Sequence, residues 1–286
     1  MTLQEARQES ISQLSAIYPQ SEAEAISELL LEWISGIDRS QKSMFRQVQL
    51  SDEQKRLLVT SMPRLLAQEP VQYITNQAWF CGMSFYVDKN TLIPRPETEE
   101  LVEWVISNCR FPLKELSILD IGSGSGCIPI ALKKRLNKAT VVSCDISSGA
   151  LGVARRNAKE LGIDVDFFEM NILNPEQRAQ LKKYDFIVSN PPYIPVHEKS
   201  KLDFNVAGYE PPQALFVPDE DPLLFYRVIG EMGKDHLNPG GLIIVEMHED
   251  LARDCERLFQ SLGYKTEIRK DMQGKERLLK AAVNSI

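Results

Sequence analysis

Ser117-Ile118-Leu119-Asp120-Ile121-Gly122-Ser123-Gly124-Ser125-Gly126 is the stretch whose reading decides the fold. Its first half is a buried-strand pattern, and it runs without a spacer into a glycine-rich turn that a helix follows. Glycines at such a junction permit a tight turn and let the backbone approach a ligand closely. The spacing is not the G-x-G-x-x-G of dinucleotide sites, because Gly126 falls two residues after Gly124 rather than three. Asp120 is a second distinction: a carboxylate facing the loop suits a ligand with a cationic ammonium near the turn, or it orders the loop itself. On either side of this stretch, residues 94–286 alternate strand-like and helix-like segments. Strands are predicted at 116–121, 140–145, 165–169, 184–189, 241–246, 264–269 and 276–283. Their separation suits βαβ units in an α/β fold with a mostly parallel sheet. The last two strands leave little room for a helix between them and are predicted to be antiparallel.

Asp145 ends the second of these strands, 23 residues after Gly122. A lone aspartate there is an ordinary turn residue. Coupled to the loop at this distance, it is placed to accept both hydroxyls of a ribose. Asn171 and Ile172 end the third strand-like segment and are candidates to line an adenine pocket, one by hydrogen bonding and one by packing. Together these residues imply an adenosine-containing ligand, and the loop alone leaves nicotinamide cofactors open.

Asn190-Pro191-Pro192-Tyr193 follows the fourth strand, where an open α/β sheet places its ligand. An amide or exocyclic adenine nitrogen is a poor nucleophile, because its lone pair is delocalised. The Asn190 side-chain oxygen and the Pro191 carbonyl can accept hydrogen bonds from such an NH2 group, orienting it and favouring the charge that develops on alkylation. Alignment with a sulfonium methyl adds proximity. The two prolines stiffen the turn, and the Tyr193 ring can stack on a flat amide or base. No strong base is needed before transfer, so His197, close in sequence, is not assigned that role.

Residues 1–70 read as helical, with Thr2 as a cap and Ser51-Asp52-Glu53-Gln54 as a capping box. Pro63 is expected to kink the third helix or to begin a new turn. Residues 71–93 are rich in β-formers and suit a β-hairpin. The net charge of −7 shows no basic footprint, which argues against stable nucleic-acid binding by the chain alone. Five scattered cysteines and three histidines form neither a disulfide framework nor a metal pattern. Met1 to Pro19 has no apolar signal core, and no apolar run approaches bilayer length, so a cytoplasmic location away from membranes is expected.

The sequence resembles the N5-glutamine methyltransferases that modify peptide chain release factors. The resemblance rests on Glu69-Pro70-Val71-Gln72-Tyr73-Ile74, Phe85-Tyr86-Val87, Leu92-Ile93-Pro94-Arg95-Pro96-Glu97-Thr98-Glu99, Asp120 to Gly126, Ser189 to Ile194, Tyr209-Glu210-Pro211 with Ala214-Leu215, and Gly240-Gly241. Adenine methyltransferases share the tetrad but generally lack the Leu92 to Glu99 segment. The resemblance implies a class I S-adenosylmethionine-dependent methyltransferase fold with a seven-stranded, mostly parallel sheet. It implies a helical domain over 1–70 that engages the protein substrate, a hairpin linker over 71–93 and a catalytic domain over 94–286. It further implies a monomer without a metal that uses S-adenosyl-L-methionine, releases S-adenosyl-L-homocysteine, and methylates the glutamine of a Gly-Gly-Gln tripeptide in class I release factors. Carried over by position, Asp120, Gly122, Ser123, Gly124, Ser125, Gly126, Asp145, Asn171, Ile172 and Asn190 bind the cofactor. Asn190, Pro191, Pro192 and Tyr193 hold the glutamine.

Three departures stand out: Asn76 where glycine is common, Asn171 where Asp is common, and Met247-His248-Glu249-Asp250 after the Glu246 strand end. Arg95, Glu97 and Glu99 either cap the next helix or shape the mouth of the methyl-donor pocket. Glu210 either positions a loop over the glutamine site or pairs with a cation of the release factor. Two other functions remain open from the residues alone: adenine N6-methylation of DNA or RNA, and a non-catalytic cofactor-binding scaffold.

Overall fold

The computed structural model describes residues 1–37, 41, 48–109 and 115–283. The helical expectation for residues 38–40 and 42–47 lies outside the described residues. The chain forms two compact units, Met1–Gln77 with Asp203–Tyr209, and Ala78–Leu202 with Glu210–Ile286.

In the first unit, α1 (Leu3–Leu14), α2 (Gln20–Ser35), α3 (Asp52–Leu66) and α4 (Val71–Thr75) pack around Leu3, Leu14, Leu30, Leu31 and Leu65. Thr2 and Ser51 both form full capping boxes, with Glu5 and Gln54 respectively. Helix α3 runs on through Pro63, so no new turn begins there. Val59, whose carbonyl loses its helical partner at Pro63, is exposed, so water can serve it. The hairpin is shorter than residues 71–93. Val71–Thr75 is a helix whose Tyr73 and Ile74 N–H groups return to Pro70 O, and whose Val71 and Ile74 are buried in the helical core. Burial against helices overrides their β-propensity. Asn76 ends α4 at φ 52°, a left-handed position that asparagine tolerates, which explains how it stands where glycine is common.

The second unit opens with the hairpin β1 (Ala78–Phe80) and β2 (Met83–Phe85), turned at Cys81-Gly82. Then follow α5 (Pro96–Asn108), β3 (Ser117–Ile121), α6 (Cys127–Arg135), β4 (Thr140–Asp145), α7 (Ser148–Leu161), β5 (Asp166–Glu169), α8 (Pro175–Arg178), β6 (Tyr184–Ser189) and β7 (Ile194–Pro195). The single turn α9 (Phe204–Ala207) groups with the first unit. The remainder is α10 (Pro212–Leu215), β8 (Phe216–Val217), α11 (Leu224–His236), β9 (Leu237–Glu246), α12 (Ala252–Ser261), β10 (Tyr264–Lys270) and β11 (Glu276–Val283).

Seven strands form one sheet in the order β10-β11-β9-β6-β3-β4-β5, and only β11 runs against its neighbours. All seven lie where the sequence pattern puts them, with β9 starting earlier, at Leu237. Side chains of β3 and β6 alternate between two cores: Leu119, Ile121 and Ile187 face one, and Ile118, Phe186 and Val188 the other. Because both faces are covered, these strands read as largely apolar, broken by Asp120 and Asp185, rather than as alternating ones.

One side chain that sequence reasoning overlooked ties the hairpin's exit to the glycine loop. Buried Asn157 of α7 donates from Nδ2 to Tyr86 O and to Ser125 O, each at 2.9 Å, and accepts from Tyr86 N at 2.7 Å. Asn157→Leu removes the partner of one buried backbone group, Ser125 O, and of two part-buried ones on Tyr86, and is expected to destabilise the protein by about 2 kcal/mol. Urea unfolding checks this: the midpoint should fall at constant slope, and an unmoved midpoint would refute the clamp.

Candidate active site

The strand order reverses between β6 and β4 on either side of β3, and an α/β sheet opens a crevice at such a point. Here it is a cavity of about 390 Å³ at the C-terminal ends of β3, β4, β5 and β6. Gly122, Gly124, Asp145, Asn171, Ile172, Asn190, Pro191 and Pro192 all line it.

The loop is built so that backbone forms this wall. Gly122 N and Ser123 N both donate to Cys144 O, at 2.8 and 3.0 Å, which folds the loop across the end of β4. Gly122, Gly124 and Gly126 take φ values of 87°, 49° and 81°, a region that side chains rarely adopt. Gly126 is doubly constrained, since a Cβ there would meet Ile130 Cδ1 at 3.0 Å and Ala154 Cβ at 3.1 Å.

Asp120 lies beneath the loop and is fully buried. Ser143 Oγ donates to its Oδ2 at 2.6 Å, and Ser123 Oγ lies 2.6 Å from Ser143 Oγ. Of the two readings of Asp120, this geometry favours the one in which it orders the loop. Burial pushes its carboxyl up to about 8; the Ser143 bond opposes the shift and nearby Asp145 adds to it.

Asp145 stands in the cavity wall. Its Oδ2 accepts from Gly124 N and its Oδ1 from Ser147 N, both at 2.9 Å. The carboxylate retains accepting capacity for a ribose hydroxyl beside these bonds. Burial raises its pKa, against the hydrogen bonds from the Gly124, Ser147 and Ile146 N–H groups. Asn171 Oδ1 accepts from Leu173 N at 2.9 Å, a local turn that leaves Ile172 in the wall. Ile146 and Leu173 also line the cavity, and both are exposed apolar residues. Sequence reasoning missed them; the available signal was an apolar residue one place after Asp145 and two places after Asn171. An apolar slot flanked by a ribose acceptor and a side-chain-free loop fits an adenosine moiety.

The acceptor side is built from three distant segments. Asn190 Nδ2 donates to Thr98 Oγ1 at 3.1 Å, and Thr98 Oγ1 donates to Glu246 Oε2 at 2.7 Å. Tyr193 OH donates to Glu246 Oε1 at 3.2 Å. Burial raises the Glu246 pKa, while the Thr98 and Tyr193 hydroxyls and the Arg277 cation oppose it. Thr98 and Glu246 were not singled out in the sequence. Tyr193 does not line the cavity among the described residues; its hydroxyl is turned inward, and its ring meets His248 edge-on at 5.9 Å. It serves as a strut of the turn in this geometry rather than as a stacking platform.

Glu210 is likewise turned inward. It is 3% exposed, forms an ion pair with Arg95 and accepts from Ile93 N at 3.0 Å. That favours its loop-positioning reading over contact with an outside cation. Glu99 accepts from Cys81 N at 2.9 Å and Glu97 from Gln273 Nε2 at 2.8 Å, so both brace neighbouring turns. His197 bonds Asp219 at 2.8 Å and does not line the cavity.

The strand order, with reversed β11 between β9 and β10 and the cavity beside β3, defines a class I S-adenosylmethionine-dependent methyltransferase. The fold is shared with a methyltransferase from Pyrococcus furiosus, at a TM-score of 0.53 and 18% identity, covering 79% of this chain and 99% of that one. Residues 5–75 match the PrmC N-terminal domain and residues 100–208 the methyltransferase small domain. Over 283 residues the chain is 40% identical to the release factor glutamine methyltransferase of Flavobacterium psychrophilum, covering 98% of this chain and 99% of that one. It is 42% identical over 269 residues to the enzyme of that name from Bacteroides thetaiotaomicron, covering 94% and 95%. The chain therefore belongs to the release factor glutamine methyltransferase family.

Two expectations follow from the cofactor side. Asp145→Ala should weaken S-adenosylhomocysteine binding by about tenfold or more in calorimetry; unchanged affinity with lost turnover would reject the ribose assignment. Asp120 titrates at 3.8 unfolded and about 8 folded. Between those values the folded state holds the extra proton, so stability falls as pH rises through that window and levels above it. The melting temperature of the free protein should fall between pH 5 and 8 more steeply than that of Asp120→Asn, and parallel curves would contradict this.

Proposed function

We propose that this protein transfers the methyl group of S-adenosylmethionine to the side-chain amide nitrogen of the glutamine in the Gly-Gly-Gln motif of class I release factors. The observation that carries the reading is the meeting of the glycine loop and the Asn190 turn in one cavity. A Cβ on Gly122 would stand 3.9 Å from Asn190 O, so donor and acceptor sites adjoin. Full-length identity to named release factor glutamine methyltransferases supports the choice of acceptor.

Bound S-adenosylmethionine supplies an electrophilic methyl on a sulfonium. The protein's own part is to hold the other reactant. The acceptor NH2 donates to Asn190 Oδ1 and Pro191 O, which fixes its plane and favours positive charge on nitrogen as the bond forms. Pro191 and Pro192 preset the carbonyl direction. The nitrogen loses its proton after it becomes cationic, so no base at the position of His197 is required. Loop residues Gly122 and Gly124 and the wall of Asp145, Ile146, Ile172 and Leu173 position the donor. Translation terminates in the cytoplasm, and the same reading places the enzyme there. The described residues contain no helix long and apolar enough to cross a membrane.

Labelled methyl donor with purified release factor, and nucleic acid as control, tests the proposal. Mass spectrometry should place one methyl group on the tripeptide glutamine; label on adenine with an untouched release factor would overturn it. Asn190→Ala should lower turnover by about 10²-fold while S-adenosylhomocysteine binding stays near wild type. Equal loss of both would count against its role in orienting the acceptor.

A further inference from the structure

An asparagine amide has two nearly isosteric ends, one that donates and one that accepts. A site that must receive an NH2 group works only if the oxygen end faces it. Packing alone does not distinguish the two ends; hydrogen bonding does.

The bonds behind Asn190 settle the choice. Glu246 is buried at the end of β9 and receives hydroxyl groups from two sides, Thr98 at 2.7 Å and Tyr193 at 3.2 Å. The Thr98 hydroxyl donates to Glu246 Oε2 in the shorter of its two contacts, so its single proton is committed on that side. Towards Asn190, Thr98 Oγ1 then has only lone pairs to offer. At 3.1 Å it can be met by Asn190 Nδ2 and not by Asn190 Oδ1. The amide is held with its NH2 towards the protein and its oxygen free. Thr98 is itself buried in the first turn of α5, so water does not substitute for it there.

We infer that Thr98 is a positioning residue that fixes which end of the Asn190 amide faces the acceptor, and that this polarity makes the site select an NH2 group over a carboxylate. The inference rests on the glutamine reading above. With Asn190 Oδ1 and Pro191 O both presenting lone pairs, an acceptor glutamate meets two acceptors and no donor, whereas glutamine donates to both. The cost of such a mismatch in a buried site is an unpaired polar group, which discriminates far more strongly than shape does.

The test uses the full-length enzyme as wild type, Thr98→Val and Thr98→Ser. Each is assayed with labelled cofactor on a release factor and against the same factor carrying glutamate in place of the acceptor glutamine. Valine keeps the shape and removes the hydroxyl; serine keeps the hydroxyl. The expected result for Thr98→Val is a kcat lower by about tenfold or more, with KM for the release factor and Kd for S-adenosylhomocysteine within about twofold of wild type. The glutamate-bearing factor should become a better competitive inhibitor of Thr98→Val than of wild type by about tenfold. Thr98→Ser should restore both readouts to near wild type. The inference is overturned if Thr98→Val keeps wild-type kcat and inhibition, or if Thr98→Ser fails as badly as Thr98→Val. Should the valine variant not fold, Thr98→Ala against Thr98→Ser supplies the same contrast. A wild-type enzyme that leaves the release factor glutamine unmodified would sink the underlying function, and the inference with it, a result distinct from a difference between variants.

Discussion

A carboxamide nitrogen becomes a nucleophile only when its environment offers its NH2 group lone pairs and nothing else. That constraint organises the acceptor half of this protein. Asn190 must show its oxygen, which requires a partner behind it that cannot donate. Thr98 is such a partner because its proton is taken by Glu246. The three residues come from the turn after β6, from α5 and from β9, so their meeting depends on the sheet order that sets β6 beside β9. Tyr193 and Arg277 act on the same carboxyl from the other side, opposing the burial that raises the Glu246 pKa. Removing either hydroxyl leaves part of that carboxylate's desolvation unopposed.

The donor half obeys a different constraint, the close approach of backbone. Gly122 and Gly124 expose main chain to the cavity, and the turn is held from below by a chain of short contacts from Ser123 through Ser143 to Asp120. Asn157 holds it from the side. Neither support touches the cavity. A loop whose conformation costs its side chains is thereby fixed by groups that could be read only as ordinary polar residues.

Much of the fold was legible in the sequence because the sheet is covered on both faces. Strands such as Ser117–Ile121 and Tyr184–Ser189 are largely apolar, interrupted chiefly by Asp120 and Asp185, and a single chain displays that pattern directly. Val71–Thr75 misled for a physical reason: its β-formers are buried among helices, and burial outweighed propensity. Of the two readings of Pro63, the new turn is not seen: α3 continues through it, with Val59 exposed where the helical bond is lost. In the site, Gly122, Gly124, Asp145, Asn171, Ile172, Asn190, Pro191 and Pro192 belong to local signatures and reach the cavity, whereas Asp120, Ser123, Ser125, Gly126 and Tyr193 of the same signatures do not line it. Thr98 and Glu246 are 148 residues apart and carry none, since a threonine near a helix start and a glutamate at a strand end are common. Tyr193 and Glu210 were legible as members of motifs, but the direction of their side chains was not, and both point inward.

The central claim is that Asn190 Oδ1 and Pro191 O hold the acceptor amide next to the methyl donor. The measurement that tests it most directly is a crystal structure of the enzyme with S-adenosylhomocysteine and a peptide containing Gly-Gly-Gln. The account predicts the glutamine nitrogen at about 3 Å from both Asn190 Oδ1 and Pro191 O, with Asn190 Nδ2 still on Thr98. A glutamine bound elsewhere in the cavity, or an Asn190 turned with its NH2 towards the acceptor, would contradict it.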